Sequence, residues 1–158
     1  MKRIIYLTSG LLILSLWTSG SPVQLKSFDS LSNALKEGSG VRVILHYKAM
    51  KLFDESGDPV EDVPDAVGGM DLDTFEYFSA GAVGNSEGYF ASSHTHLINH
   101  PRQGFVLNYV KLRVYESGRV KIRAQYISPT DYSVKMDETF ETEINDGQNN
   151  AGAFFFLN

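Results

Sequence analysis

From Val41 the chain alternates between apolar and polar residues. Val41, Val43, Leu45 and Tyr47 are interleaved with Arg42, Ile44, His46 and Lys48. That period of two predicts a strand over 41–53 with one face in a core. The preceding segment, 27–37, has a helical period instead, with Phe28, Leu31 and Leu35 on one stripe. Ser27 or Asp29 can cap its first amides, and Gly38 and Gly40 follow its end. A helix of about three turns is marginal in water, so its stripe must dock against something.

Residues 54–70 contain Gly57, Pro59, Pro64, Gly68 and Gly69 and read as a long loop. Gly68-Gly69 is expected to turn the chain into the sheet. Strands are expected over 72–78 and 88–98, joined by the small-residue turn 79–87. Two longer ones, 105–115 and 120–127, flank Glu116-Ser117-Gly118-Arg119, a hairpin in which Gly118 supplies the positive φ. Ser128 to Asp131 forms a turn, 132–144 another strand, and the apolar run Ala153 to Leu157 a buried closing strand. This gives one helix and about seven strands with no strand–helix–strand crossover after residue 41. The fold class predicted is mainly β: an antiparallel meander curled or closed into a small barrel, with one short N-terminal helix. Strands of this length twist strongly and have edges to hide, which favours curling. An open sheet flanked by the helix is the alternative.

Ahead of this domain, Lys2-Arg3, the mostly apolar stretch Ile4 to Trp17 and the small residues Thr18 to Ser21 follow the order of a secretory signal peptide. The densest apolar run, Leu11 to Trp17, is far short of the roughly 20 residues that cross a bilayer. Cleavage near Gly20 leaves one domain over 21–158 with no stable membrane insertion, exported to the periplasm or beyond the cell. The chain has no cysteine, so disulfides, thiolate chemistry and lipoprotein anchoring are excluded.

Loss of Lys2 and Arg3 leaves 12 bases against 19 acids. An acidic exported domain is poorly suited to nucleic acid, which attracts clustered Lys and Arg. The charge is unevenly spread. From Asp54 to Glu76 there are nine acids and no Lys or Arg, whereas Arg102 to Lys135 holds seven bases and two acids. Lys111 and Arg113 share a strand face, as do Arg119, Lys121 and Arg123. If the two strands pair, these five form a positive strip able to receive an anionic glycan or an acidic protein; the simpler reading of the same residues is that they keep an outer sheet face soluble and discourage edge pairing.

Three of the four histidines lie between Ser92 and Pro101. On a strand, His94 and His96 point the same way about 7 Å apart. Joined by Asp71, Asp73 or Glu76 from a neighbouring strand they would form a zinc or copper site, but no ligand-spacing motif accompanies them, so ordinary strand hydrogen bonds are the expected explanation and no metal is expected there. Asp71, Asp73 and Glu76 also supply paired carboxylates of the kind that hydrolyse glycans. No Gly-x-Ser-x-Gly elbow or phosphate-loop Lys-Ser/Thr is present, and no cofactor is implied.

Four segments together resemble the VirK family of small exported bacterial proteins: Asp65 to Glu76, Ser93-His94-Thr95-His96-Leu97, the hairpin Val114 to Arg123, and Ile127 to Tyr132. The leader, the short first helix and Val41-Arg42-Val43 agree with it. The resemblance extends over roughly residues 25–157, with Gly68-Gly69 and His96 matching the family pattern. It carries over no catalytic or ligand residues. The acidic stretch 54–62, the additional His94 and His100, and the missing cysteine depart from it. The function expected is that of a non-enzymatic binding or interaction protein whose partner is a protein, glycan or small molecule. The alternatives are a metal-binding module on the histidines and a small hydrolase or lyase using an Asp/Glu/His set.

Overall fold

The computed structural model describes residues 21–158; the expected leader lies outside the described residues. Strand β1 (Gln24–Leu25) leads into helix α1 (Phe28–Lys36). The Ser27 hydroxyl accepts the Ser30 amide, and the Ser30 hydroxyl accepts the Ser27 amide, each at 3.2 Å. This reciprocal cap satisfies two amides that the first turn would otherwise leave bare. Leu31, Ala34 and Leu35 are buried on the docked face, and the Phe28 ring lies 5.6 Å from that of Phe90.

The strand expected over 41–53 is two strands. β2 (Val41–His46) ends in a 3-10 turn over Tyr47–Ala49, and β3 (Lys51–Phe53) follows in a different sheet. The acidic loop contains the two-residue β4 (Pro59–Val60) and most of β5 (Val67–Asp71); β6 (Phe75–Phe78) comes next. Four long strands, β7 (Tyr89–His100), β8 (Gly104–Tyr115), β9 (Arg119–Ile127) and β10 (Val134–Glu143), precede the last, β11 (Ala153–Leu157).

These strands form two sheets, one in the order β1-β11-β2-β5 and one in the order β4-β3-β10-β9-β8-β7-β6. The predicted curled or closed barrel is therefore incorrect. In the larger sheet β4 and β6 are terminal strands at opposite edges and do not pair, so the meander remains open. The break at Tyr47–Met50 is the physical reason: it sends the chain from one sheet to the other, and β11 returns to pair with β2 rather than closing the meander. Edges are protected by shortness and by proline, as at Pro59 in β4. Every sheet pairing between named strands is antiparallel.

One core joins both sheets and the helix. Val41, Val43, Leu45 and Phe155 enter it from the smaller sheet, Leu112, Val114, Val120, Ile122 and Phe140 from the larger, and Leu31 and Leu35 from α1. Gly68 and Gly69 do not form a turn; both lie within β5. A Cβ on Gly68 would come within 2.9 Å of the Tyr47 hydroxyl, so the missing side chain makes room for that ring. Gly118, with φ of +85°, links β8 to β9 and donates its amide to Tyr115 O at 2.8 Å, a backbone conformation that costs glycine little.

Candidate functional site

The β8–β9 hairpin alternates strictly. Leu112, Val114, Val120 and Ile122 face the core, which turns Lys111, Arg113, Lys121 and Arg123 to the outer face of the seven-stranded sheet. The register sets Lys111 opposite Arg123 and Arg113 opposite Lys121. Those four bases line a cavity of about 260 Å³ together with Asp54, Glu55, Asp137 and Thr139. Like charges directly opposite on paired strands are destabilising, so two cations are relieved by acids of β10. Arg123 holds Asp137 through Nε at 2.8 Å and through Nη2, and Gln125 donates to the same carboxylate at 2.8 Å. The Arg123 guanidinium lowers the Asp137 pKa, and Asp137 in turn raises that of Arg123. Lys121 meets Glu141 at 3.2 Å.

The other two bases have no such relief. Among the described residues neither Lys111 nor Arg113 makes an ion pair, and the buried Arg113 Nε has no hydrogen-bond acceptor. The Arg113 guanidinium sits 5.4 Å from the centre of the Tyr89 ring, which steers it without neutralising it. Arg119, the fifth base of the expected strip, is placed differently. It stacks 3.9 Å over Tyr115, pairs with Glu87 at 3.1 Å and borders adjoining hollows rather than this cavity.

The histidines and carboxylates are not brought together. His94 and His96 are exposed on β7, with ring centres 5.5 Å apart. Their face is the one that carries Phe90 and Ser92. Glu76 pairs with Ala91 and so faces the other side of the sheet. The expected strand 72–78 is interrupted, since β5 ends at Asp71 and β6 begins at Phe75. Asp71 is consequently in the smaller sheet, 3.5 Å from Arg42, and Asp73 lies in the bend between the strands. Among the described residues no three His, Asp or Glu side chains are grouped to hold a metal ion. That arrangement removes the geometric support for the metal and hydrolase alternatives. Nor is any described helix long and apolar enough to cross a membrane.

A larger hollow of about 630 Å³ lies on the outer face of the smaller sheet, lined by Ile44, Phe156 and Leu157 among others. Its one charged side chain, Arg42, is already paired with Asp71, so the polar chemistry is concentrated on the other sheet. Sequence reasoning placed Asp54 and Glu55 in an acidic loop without linking them to the basic strip, and it did not single out Asp137 or Thr139. The only signal in the sequence was the opposite charge of the two regions.

The model of the VirK protein family matches residues 24–132, from β1 through the β9–β10 turn. The chain belongs to the VirK family. A crystal structure of a VirK family protein from Legionella pneumophila is similar in fold, with a TM-score of 0.62 and 15% identity over 85% of this chain and 98% of that one. No curated protein matches the chain. All four cavity bases, His94 and His96 lie inside the VirK match, whereas Asp137 and Thr139 lie beyond it.

Proposed function

We propose that this VirK protein is an exported, non-enzymatic binding protein that captures an anionic partner on the outer face of its seven-stranded sheet. The observation that carries this reading is a cavity with four bases, two of them without a carboxylate partner among the described residues. A fold that sets like charges opposite one another on paired strands gives up stability there. An anion arriving at the cavity recovers it. Electrostatic capture of this kind favours fast association and weakens as salt screens the charges.

Heparin oligosaccharide and poly-glutamate serve as anionic probes, with binding followed by calorimetry at two ionic strengths. Binding to at least one is expected, weaker in high salt and reduced by about tenfold, the effect of losing one charge-assisted hydrogen bond, in Lys111→Gln or Arg113→Gln. If the probes bind both variants as tightly as the wild type, or if both probes and small anionic esters alike ignore the protein, the reading fails.

Export rests on the basic, apolar and small-residue order of the first 21 residues and on the VirK membership. Protein recovered from its native host is expected to begin near Ser21 when its N-terminus is analysed. Recovery of the protein from the cytoplasm with Met1 retained would contradict export.

A further inference from the structure

The cavity is more selective than a positive surface. Paired positions on neighbouring antiparallel strands set Cβ atoms about 4.5–5.5 Å apart, and same-face neighbours along a strand are about 7 Å apart. Lys111, Arg113, Lys121 and Arg123 thus occupy the corners of a patch the size of one oxyanion. Asp54 and Glu55, on the turn between β3 and β4, line the same cavity. Its volume of about 260 Å³ is below the range of about 300–1,000 Å³ in which drug-sized ligands sit. A helix or a strand of an acidic protein is too large for it, and the two carboxylates would repel such a surface before it reached the bases.

The pairing narrows the ligand further. Arg123 is matched by Asp137 and Lys121 by Glu141, so among the described residues Lys111 and Arg113 are the two lining bases without an ion pair, and Asp54 and Glu55 are lining carboxylates that pair with neither. Arg113 also has a buried Nε with no acceptor among the described residues. A phosphate monoester carries a charge of about −1.5 to −2 at neutral pH and three acceptor oxygens. A single carboxylate brings half that charge and two oxygens. Thr139 supplies a hydroxyl in the same lining, a neutral donor for an ester oxygen.

We infer that the cavity binds a phosphate monoester group between Lys111 and Arg113, and that the Glu55 carboxylate beside it limits the affinity. The inference rests on the reading of this sheet face as a binding surface and narrows it to one chemistry. Asp54 acts on the backbone instead. Its Oδ1 accepts the amides of Ser56 and Asp58, each at 2.9 Å, and so holds the turn. Glu55 has no such bond among the described residues, so its charge can be removed while the turn is kept.

Calorimetric titration of the full mature chain with glucose 6-phosphate tests this, with glucose and glucose 6-sulfate as controls. Saturable 1:1 binding of the phosphate ester is expected, tighter than the singly charged sulfate ester and absent for glucose. Arg113→Gln and Lys111→Gln should each weaken it by about tenfold, the scale of one charge-assisted hydrogen bond, and Glu55→Gln should tighten it several-fold. Binding should fall as pH drops through about 6, where the monoester takes up its second proton. Circular dichroism confirms that each variant is folded, and a phosphate titration of Glu55→Gln remains informative if a base variant is not.

Phosphatidylcholine vesicles with and without phosphatidic acid separate the sources of the group. Vesicle binding that glucose 6-phosphate displaces supports a recess that accepts the ester from a lipid, and ester binding without vesicle binding supports a soluble ligand. Vesicle binding that the ester cannot displace would overturn the inference. So would saturable ester binding indifferent to Arg113, Lys111 and Glu55. Failure of the ester while heparin or poly-glutamate still binds through Lys111 would overturn the phosphate assignment alone; failure of all three would remove the binding reading with it.

Discussion

Replacing Leu31 with aspartate is expected to unfold the domain. Leu31 is 0% exposed and sits in the middle of the docked face of α1. The helix has nine residues, below the roughly 12–15 at which an isolated helix becomes even marginally stable. Its reciprocal serine cap offsets part of that deficit but does not supply a partner surface. Truncating a buried leucine to alanine costs about 2–5 kcal/mol, and a carboxylate at the same position must also be stripped of water with no cation beside it. The sum approaches the whole stability of an ordinary domain, about 5–15 kcal/mol. Loss of the cooperative thermal transition and of near-ultraviolet dichroism is the expected readout. Exposed Asn33, on the same helix, provides the control, since its replacement by aspartate should change stability by no more than about 0.5 kcal/mol. A Leu31→Asp protein melting at the wild-type temperature would show that the helix is peripheral.

The stripe that makes this substitution severe was readable from Phe28, Leu31 and Leu35, because a helical period says which side chains share a face. The same kind of parity exposed Lys111, Arg113, Lys121 and Arg123, once the Gly118 turn implied that their strands pair. Parity says nothing about which strand lies beyond the next one. Tyr47 continued the apolar alternation of β2, yet its ring packs beside Phe140 of the other sheet, with centroids 4.8 Å apart. The chain changes sheets at that point, and no local pattern marks the change. A barrel and two open sheets have the same alternating strands and differ only in the long-range pairing of their edges.

The candidate site divides along the same line. Arg119 belongs to the strip by parity, but Glu87 and Tyr115, which claim it, come from outside its strand. Asp54 and Glu55 reach the basic cavity because β3 pairs with β10, a contact between segments some 85 residues apart in sequence whose loop-closure cost leaves no local trace. For the carboxylates near 71–76, the alternation Asp71, Asp73 suggested a shared face on one strand. Leu72 is instead buried where β5 has just ended, and the strand break separates the acids that a metal or hydrolytic site would have needed together.

Phe155 tests the architecture that replaced the barrel. β11 is the second strand of the smaller sheet, between β1 and β2, and pairs Phe155 with Leu25 on one side and Val43 on the other. The side chain is 0% exposed and among the largest in the core, whereas Phe154 and Phe156 point the opposite way and remain partly exposed. Phe155→Ala is expected to cost about 3–5 kcal/mol, read as a lower urea midpoint with an unchanged slope. Phe154 stacks edge-on against His46 at 5.1 Å on the outer face, so Phe154→Ala should lose only that contact and part of one ring's burial, about 0.5–1.5 kcal/mol. The order of the two midpoints is the decisive result. In a sheet with one face in the core and the other outward, three consecutive phenylalanines must differ in proportion to the side they face. Equal losses at Phe154 and Phe155 would mean that the outer face of β11 is as deeply packed as the inner, and the two-sheet arrangement would have to be redrawn.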